Sequence, residues 1–137
     1  MDAAPPSSPA AEPRGTVLLV EDDEDSRAIY GTVLRHAGYV VLEALDGAAA
    51  VEAVQRHNPA LVVMDAGLPG LDGWDATARI KGDPATAQVL VLVLTVHGQA
   101  EDQARAEAAG CDAFVLKPTD PRGLAETVGR MIAERTR

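Results

Sequence analysis

The sequence predicts an α/β protein, an open, doubly wound parallel sheet with helices on both faces, and three observations carry that prediction. Short continuous apolar runs of strand length, such as Val17-Leu18-Leu19-Val20, Ala60 to Met64 and Val89 to Leu94, lack the alternation of half-exposed strands and read as strands buried on both faces. Each run is followed by a stretch with helical spacing of apolar residues, so strand and helix alternate along the chain. Finally, apolar residues make up 47% of the 137 residues and aromatics only 3%, which demands a core of Val, Leu, Ile and Ala, as parallel sheets have. Five strand-helix units are too few for an eight-unit barrel and suit an open sheet.

The units follow in order. Residues 1–14, mostly Ala, Pro and Ser, carry too little apolar surface to repay ordering and read as a flexible tail ahead of one domain, 15–137. Order begins at Thr16 with a first strand that ends in Glu21 to Asp25, where Asp23, Glu24 and Asp25 suit the first turn of a helix. Ser26 to Ala37 is predicted helical, with Ile29, Val33 and Leu34 inward and Gly38 as its stop. Tyr39 to Leu45 is the second strand, and Gly47 to His57 the second helix, with Val51 and Val54 inward and Pro59 closing it. The third strand, Ala60 to Met64, delivers Asp65 at its C-terminal end. A Gly- and Pro-rich loop leads to a short helix, Trp74 to Ile80, and a polar loop, Lys81 to Gln88. The fourth strand ends at Thr95, the fourth helix spans Gln99 to Ala109 before Gly110, and the fifth strand, Ala113 to Leu116, runs into Lys117-Pro118. Pro121 to Arg135 makes the last helix. Since the chain stops there, no output domain is expected.

Composition narrows the function. The net charge of −9, from 21 acidic and 12 basic residues, excludes non-specific attraction to nucleic acid or an anionic membrane and favours cations or basic partners. The single cysteine, Cys111, has no partner for a disulfide or thiolate metal site, and it reads as a small hydrophobe in a reducing compartment. Neither a secretory leader nor a run approaching the ~18 apolar residues of a membrane span is present, so a cytoplasmic location is expected.

Open α/β sheets bind ligands outside the C-terminal ends of their strands, and polar residues fall there: Glu21 and Asp22 after the first strand, Asp65 after the third, Thr95 at the fourth and Lys117 at the fifth. Singly, each has a plain reading as a turn, a helix cap or a solvated lysine. Together they imply convergence. Carboxylates ~4 Å apart repel by about 4 kcal/mol at an effective dielectric of 20, so a gathered Glu21, Asp22 and Asp65 need a positive charge. Mg²⁺ suits an all-oxygen donor set, and Lys117 supplies a second, movable charge. His36, His57 and His97 show no ligand spacing, and His36 and His57 read as helix-surface residues. The loop from Asp65 to Gly73 carries two turn signals, Pro69-Gly70 and Asp72-Gly73, that hold the acid in place.

Over residues 16 to 135 these pieces, Leu19-Val20-Glu21-Asp22, Met64-Asp65 with Pro69 and Asp72-Gly73 beyond, Leu94-Thr95, and Phe114 with Lys117-Pro118, resemble a response-regulator receiver domain of the single-domain type. The resemblance implies a flavodoxin-like (βα)5 fold with strand order 2-1-3-4-5. It implies a phosphoacceptor rather than an enzyme, with at most self-phosphorylation from a donor and autodephosphorylation. Asp65 would accept a phosphoryl group from a sensor histidine kinase or a His-phosphotransfer protein. Mg²⁺ would be held by Asp22 and Asp65 directly, by Glu21 through water and by the Gly67 backbone carbonyl. Thr95 would bond the phosphoryl oxygen, Lys117 would pair with it, and Phe114 would be the switch aromatic. The bond before Pro118 would be cis, the one bond type where cis costs little. A protein target would dock on the face of helix 4, strand 5 and helix 5, and the molecule would be a monomer or weak dimer.

Val96, in place of a small residue after the switch threonine, departs from the family pattern, as does Thr119 after Lys-Pro. With Gly67 and His97, Val96 bears on phosphate lifetime. Two other classes remain at this stage: a phosphohydrolase, which lacks here a second acid at Gly67 and room for a cap, and a docking module that binds without phosphorylation.

Overall fold

A computed structural model describes residues 14–96, 100–117 and 119–135. Strand and helix alternate through β1 (Thr16–Val20), α1 (Glu24–His36), β2 (Val40–Ala44), α2 (Gly47–His57) and β3 (Leu61–Asp65). They continue through α3 (Gly73–Gly82), β4 (Leu90–Thr95), α4 (Ala100–Ala109), β5 (Ala113–Leu116) and α5 (Pro121–Arg135). All strand pairs are parallel, in the order β2-β1-β3-β4-β5, which is the expected (βα)5 arrangement.

The unbroken apolar runs are explained by burial on two sides. Successive side chains of a strand point to opposite faces. Leu18, Val20, Val62, Met64, Val91 and Val93 therefore form one core with residues of α2, α3 and α4. Their neighbours Val17, Leu19, Leu61, Val63, Leu92 and Leu94 form the other, with Tyr30 and Leu34 of α1 and Leu124 and Val128 of α5. Each such side chain, fully buried, contributes about 1.5–3 kcal/mol, and the three central strands are withdrawn from water on both faces.

Helix starts are fixed by aspartates. Asp23, Asp46 and Asp72 each cap a helix, accepting from the backbone N–H of Ser26 (2.8 Å), Ala49 (2.8 Å) and Asp75 (2.9 Å), a contact worth about 1 kcal/mol apiece. Gly38 after α1 and Gly110 after α4 adopt positive φ, +106° and +80°, as the sequence reading of both as helix stops requires.

Several expectations shift. The Asp23 cap starts α1 at Glu24 rather than Ser26, and its buried stripe is Tyr30, Gly31 and Leu34. Ile29 is 52% exposed instead of inward, because its neighbour Tyr30, about 100° further round the helix, occupies the core-facing position. Helix α3 extends through Lys81, whose ammonium donates to Val89 O and Asp112 Oδ2, both at 2.9 Å. Asp65 is itself the last residue of β3. The N-terminal tail up to residue 13, His97, Gln99 and the bond before Pro118 lie outside the described residues. Arg14 is described: its N–H bonds Gly38 O, and its guanidinium lies over the Tyr39 ring at 5.0 Å.

Candidate functional site

Strand order reverses between β1 and β3, so the loops leaving them diverge and open a cleft above their C-terminal ends. Register brings the other strands level with it: Asp65 pairs with Leu94, and Thr95 with Leu116, one residue before Lys117. A cleft of about 500 Å³ is lined there by Asp65, Thr95, Val96, Asp102, Arg105 and Lys117, among others.

The acids converge. Glu21, Asp22 and Asp65 each offer a carboxylate oxygen, and these oxygens lie within 4.8 Å of one another. Glu21 is 1% exposed and Asp65 7%, while Asp22 faces solvent. Lys117, after β5, reaches the acids with Nζ 3.0 Å from Glu21 Oε1 and 3.5 Å from Asp65 Oδ1. Burial pushes the Glu21 carboxyl above its ordinary value; the Lys117 bond opposes this and the charge of Asp65 adds to it. Burial pulls Lys117 the other way, but its bond to Glu21 and the charges of Asp65 and Glu21 prevail, and its pKa is raised. One ammonium, paired with Glu21 and Asp65, stands against three carboxylates and leaves negative charge in excess, and the donor set is oxygen only, which is the environment Mg²⁺ fits.

Local geometry fixes the Asp65 carboxylate. The Gly67 N–H donates to Asp65 Oδ1 at 3.2 Å, and a Cβ at Gly67 would meet nothing within 4 Å, so that side of the loop is open. Gly73 is required for the opposite reason, since a Cβ there would run into the Asp65 carbonyl oxygen and Ala66 Cα. Thr95 ends β4 with its side chain buried and its Oγ1 donating to Asp102 Oδ2 at 3.1 Å, while its carbonyl accepts from the Lys117 N–H at 2.6 Å. Phe114, half-buried on β5, meets Trp74 edge-to-face, with centroids 6.4 Å apart and planes at 71°. Val96 is 65% exposed at the rim.

Thus Asp65, Gly67, Thr95 and Lys117 line one cleft, Glu21 and Asp22 bring their carboxylates to Asp65, and Phe114 packs against Trp74, which lines the same cleft. Two residues of the site were not singled out in the sequence. Arg27 donates from Nη1 to the Glu21 carbonyl at 3.1 Å, and its Nε lies 3.4 Å from Glu43 Oε1, fixing the turn that carries the acids. Asp102 lies on the inner side of α4 with Ala106 and Ala109, all three buried; an acid at i of an i, i+4, i+7 inward stripe was the available signal. His36 and His57 are exposed, as expected. Among the described residues no helix is long and apolar enough to cross a membrane.

Comparison with known proteins agrees with this geometry. The profile of the family described as "Response regulator receiver domain" matches residues 17–129. A gliding motility regulatory protein of Myxococcus xanthus is 36% identical over 115 residues, covering 84% of this chain and 15% of its own length; the chain thus corresponds to a small part of that relative. The polar-differentiation response regulator DivK of Brucella ovis is 27% identical over 113 residues, covering 82% of this chain and 92% of its own. Among solved structures, the receiver domain of a sensor histidine kinase from Pseudomonas aeruginosa PAO1 superposes with a TM-score of 0.80 at 30% identity, covering 87% of this chain and 98% of that one; it has a magnesium ion coordinated in its active-site cleft.

Proposed function

The chain belongs to the response regulator receiver family, signalling domains rather than classical enzymes, and we propose that it is a phosphoryl-accepting switch with Asp65 as the acceptor. The observation that carries this reading is the gathering of the Glu21, Asp22 and Asp65 carboxylates, with Lys117 paired to Glu21 and Asp65.

The donor is a sensor histidine kinase or a His-phosphotransfer protein. An Asp65 carboxylate oxygen attacks the phosphorus, the bond from phosphorus to the histidine nitrogen breaks, and the imidazole leaves with the electron pair. Such a transfer needs positioning and charge neutralisation more than covalent help. Glu21, Asp22 and Asp65, with the Gly67 carbonyl, would hold Mg²⁺, which when bound supplies positive charge to the carboxylates and the phosphoryl oxygens. Lys117, already 3.5 Å from Asp65, pairs with a phosphoryl oxygen once the acceptor is modified. Thr95 turns its hydroxyl to the same group, and Phe114 adjusts its packing.

Output follows as a population shift in which the phosphorylated form favours one of two conformations. The responding face is α4, β5 and α5, where Leu116 is 49% exposed, and a protein target binds there. The acidic charge of −9 fits a cytoplasmic protein that binds neither nucleic acid nor membrane, present as a monomer or weak dimer. Branched Val96 at the rim narrows access to the phosphoryl group and so bears on its lifetime.

Incubation with acetyl phosphate and Mg²⁺ tests the proposal. The wild type is expected to gain one phosphoryl group by intact mass and Asp65→Asn none; equal labelling of the two refutes the assignment.

A further inference from the structure

Asp102 has no role in the scheme above, yet it is a carboxylate 3% exposed on the inward stripe of α4. Its Oδ2 accepts the hydrogen bond of Thr95 Oγ1 at 3.1 Å. This bond joins the last residue of β4 to the first turn of α4, and both residues line the cleft that holds Asp65.

A threonine hydroxyl has one proton to donate. While Asp102 accepts it, a phosphoryl oxygen on Asp65 does not, so the two acceptors compete. When the phosphoryl oxygen takes the proton, a buried carboxylate loses its donor, an unfavourable state that movement of its helix toward water relieves. Arg105, three residues along α4 and lining the same cleft, is the cation within helical reach of the released carboxylate. We propose that Asp102 is a positioning residue that holds the Thr95 hydroxyl in the unphosphorylated conformation, and that loss of this bond is what passes the event at Asp65 to α4. The inference rests on the phosphoacceptor reading of Asp65.

The test uses the full chain as wild type, Asp102→Ala, Asp102→Asn and Thr95→Val, and the double variant Asp102→Ala with Thr95→Val. Initial labelling by acetyl phosphate with Mg²⁺ is measured alongside hydrogen exchange of the α4 amides without phosphodonor. Asp102→Ala is expected to label about two- to tenfold faster than wild type, the factor that one net hydrogen bond typically carries. Asp102→Asn, which keeps an acceptor oxygen, stays near wild type, and Asp102→Ala adds nothing in the Thr95→Val background. Unchanged labelling in a folded Asp102→Ala, or the same acceleration without the Thr95 hydroxyl, overturns the proposal. Should Asp102→Ala not fold, Thr95→Val decides: faster exchange in the first turn of α4 supports the latch, and unchanged exchange overturns it. Absence of any label on wild type would instead count against the phosphoacceptor reading, and the exchange measurement would still judge the latch.

Discussion

Lys117 Nζ lies 3.0 Å from Glu21 Oε1, a contact between residues 96 positions apart and the tightest ion pair at the candidate site. Both side chains are largely withdrawn from water, at 16% and 2% exposure, so neither charge is well solvated alone. The same ammonium lies 3.5 Å from Asp65 Oδ1, so the pair ties the turn after β1 to the ends of β3 and β5.

Removing the cation therefore strands a buried carboxylate. Lys117→Ala is expected to lower the stability to urea by about 3 kcal/mol at neutral pH. The loss shrinks at acidic pH, where Glu21, its pKa already raised by burial, takes up a proton. Added Mg²⁺ recovers part of it. Equal urea midpoints for variant and wild type would show that the pair is not holding the cleft.

Asp22 is the exposed member of the acidic trio, so its charge can be removed without disturbing the core. Asp22→Asn should keep the wild-type thermal midpoint within about 2 °C, since surface changes are usually within ±0.5 kcal/mol. Its affinity for Mg²⁺ should fall about tenfold or more. Titration calorimetry reads the affinity, and wild-type binding by the variant would place the ion elsewhere.

Gly73 lies against the backbone of Asp65 and Ala66. Gly73→Ala puts a methyl group against the Asp65 carbonyl and Ala66 Cα, neither of which yields without moving the end of β3. A loss of about 3 kcal/mol is expected from such overpacking, with labelling by acetyl phosphate reduced even below the unfolding transition. A stable variant that labels normally would contradict the close approach.

Cys111 offers a pH test away from the cleft. Burial, with the Asp112 charge beside it, raises its thiol pKa above the ordinary 9.0. The thiolate is the reactive form, so alkylation of the native protein should be slower than of the urea-unfolded chain and should rise only at pH above 9.0. Because the folded pKa is the higher one, the associated stability is full below 9.0 and is lost as pH climbs through the folded value. Superimposable rate profiles for native and unfolded protein would exclude the shift.

Much of this was legible in the sequence because burial on both faces of a parallel sheet writes itself as continuous apolar runs. Val17 to Val20, Leu61 to Met64 and Val91 to Leu94 could hardly be anything else once Asp and Gly punctuation followed each. Asp65, Thr95 and Lys117 were visible for the same reason, as polar residues ending apolar strands. Ile29 misled because apolar spacing alone does not fix a helix's rotation; the Asp23 cap and the bulk of Tyr30 do. Asp102 and Arg27 were missed because each acts through a contact made by folding, Asp102 with Thr95 and Arg27 with the Glu21 carbonyl. Both sit among charged residues that look like solvated helix faces when read along the chain.

Phosphorylation as proposed turns one carboxylate at the end of β3 into an acyl phosphate. Borohydride reduction of the phosphorylated chain, followed by peptide mass spectrometry, locates that bond directly, since reduction converts an aspartyl phosphate to homoserine. Homoserine at position 65 alone, dependent on Mg²⁺ and phosphodonor, is the predicted result. Homoserine at Asp22 or Asp72, or a phosphoryl group stable on a hydroxyl side chain, would contradict it.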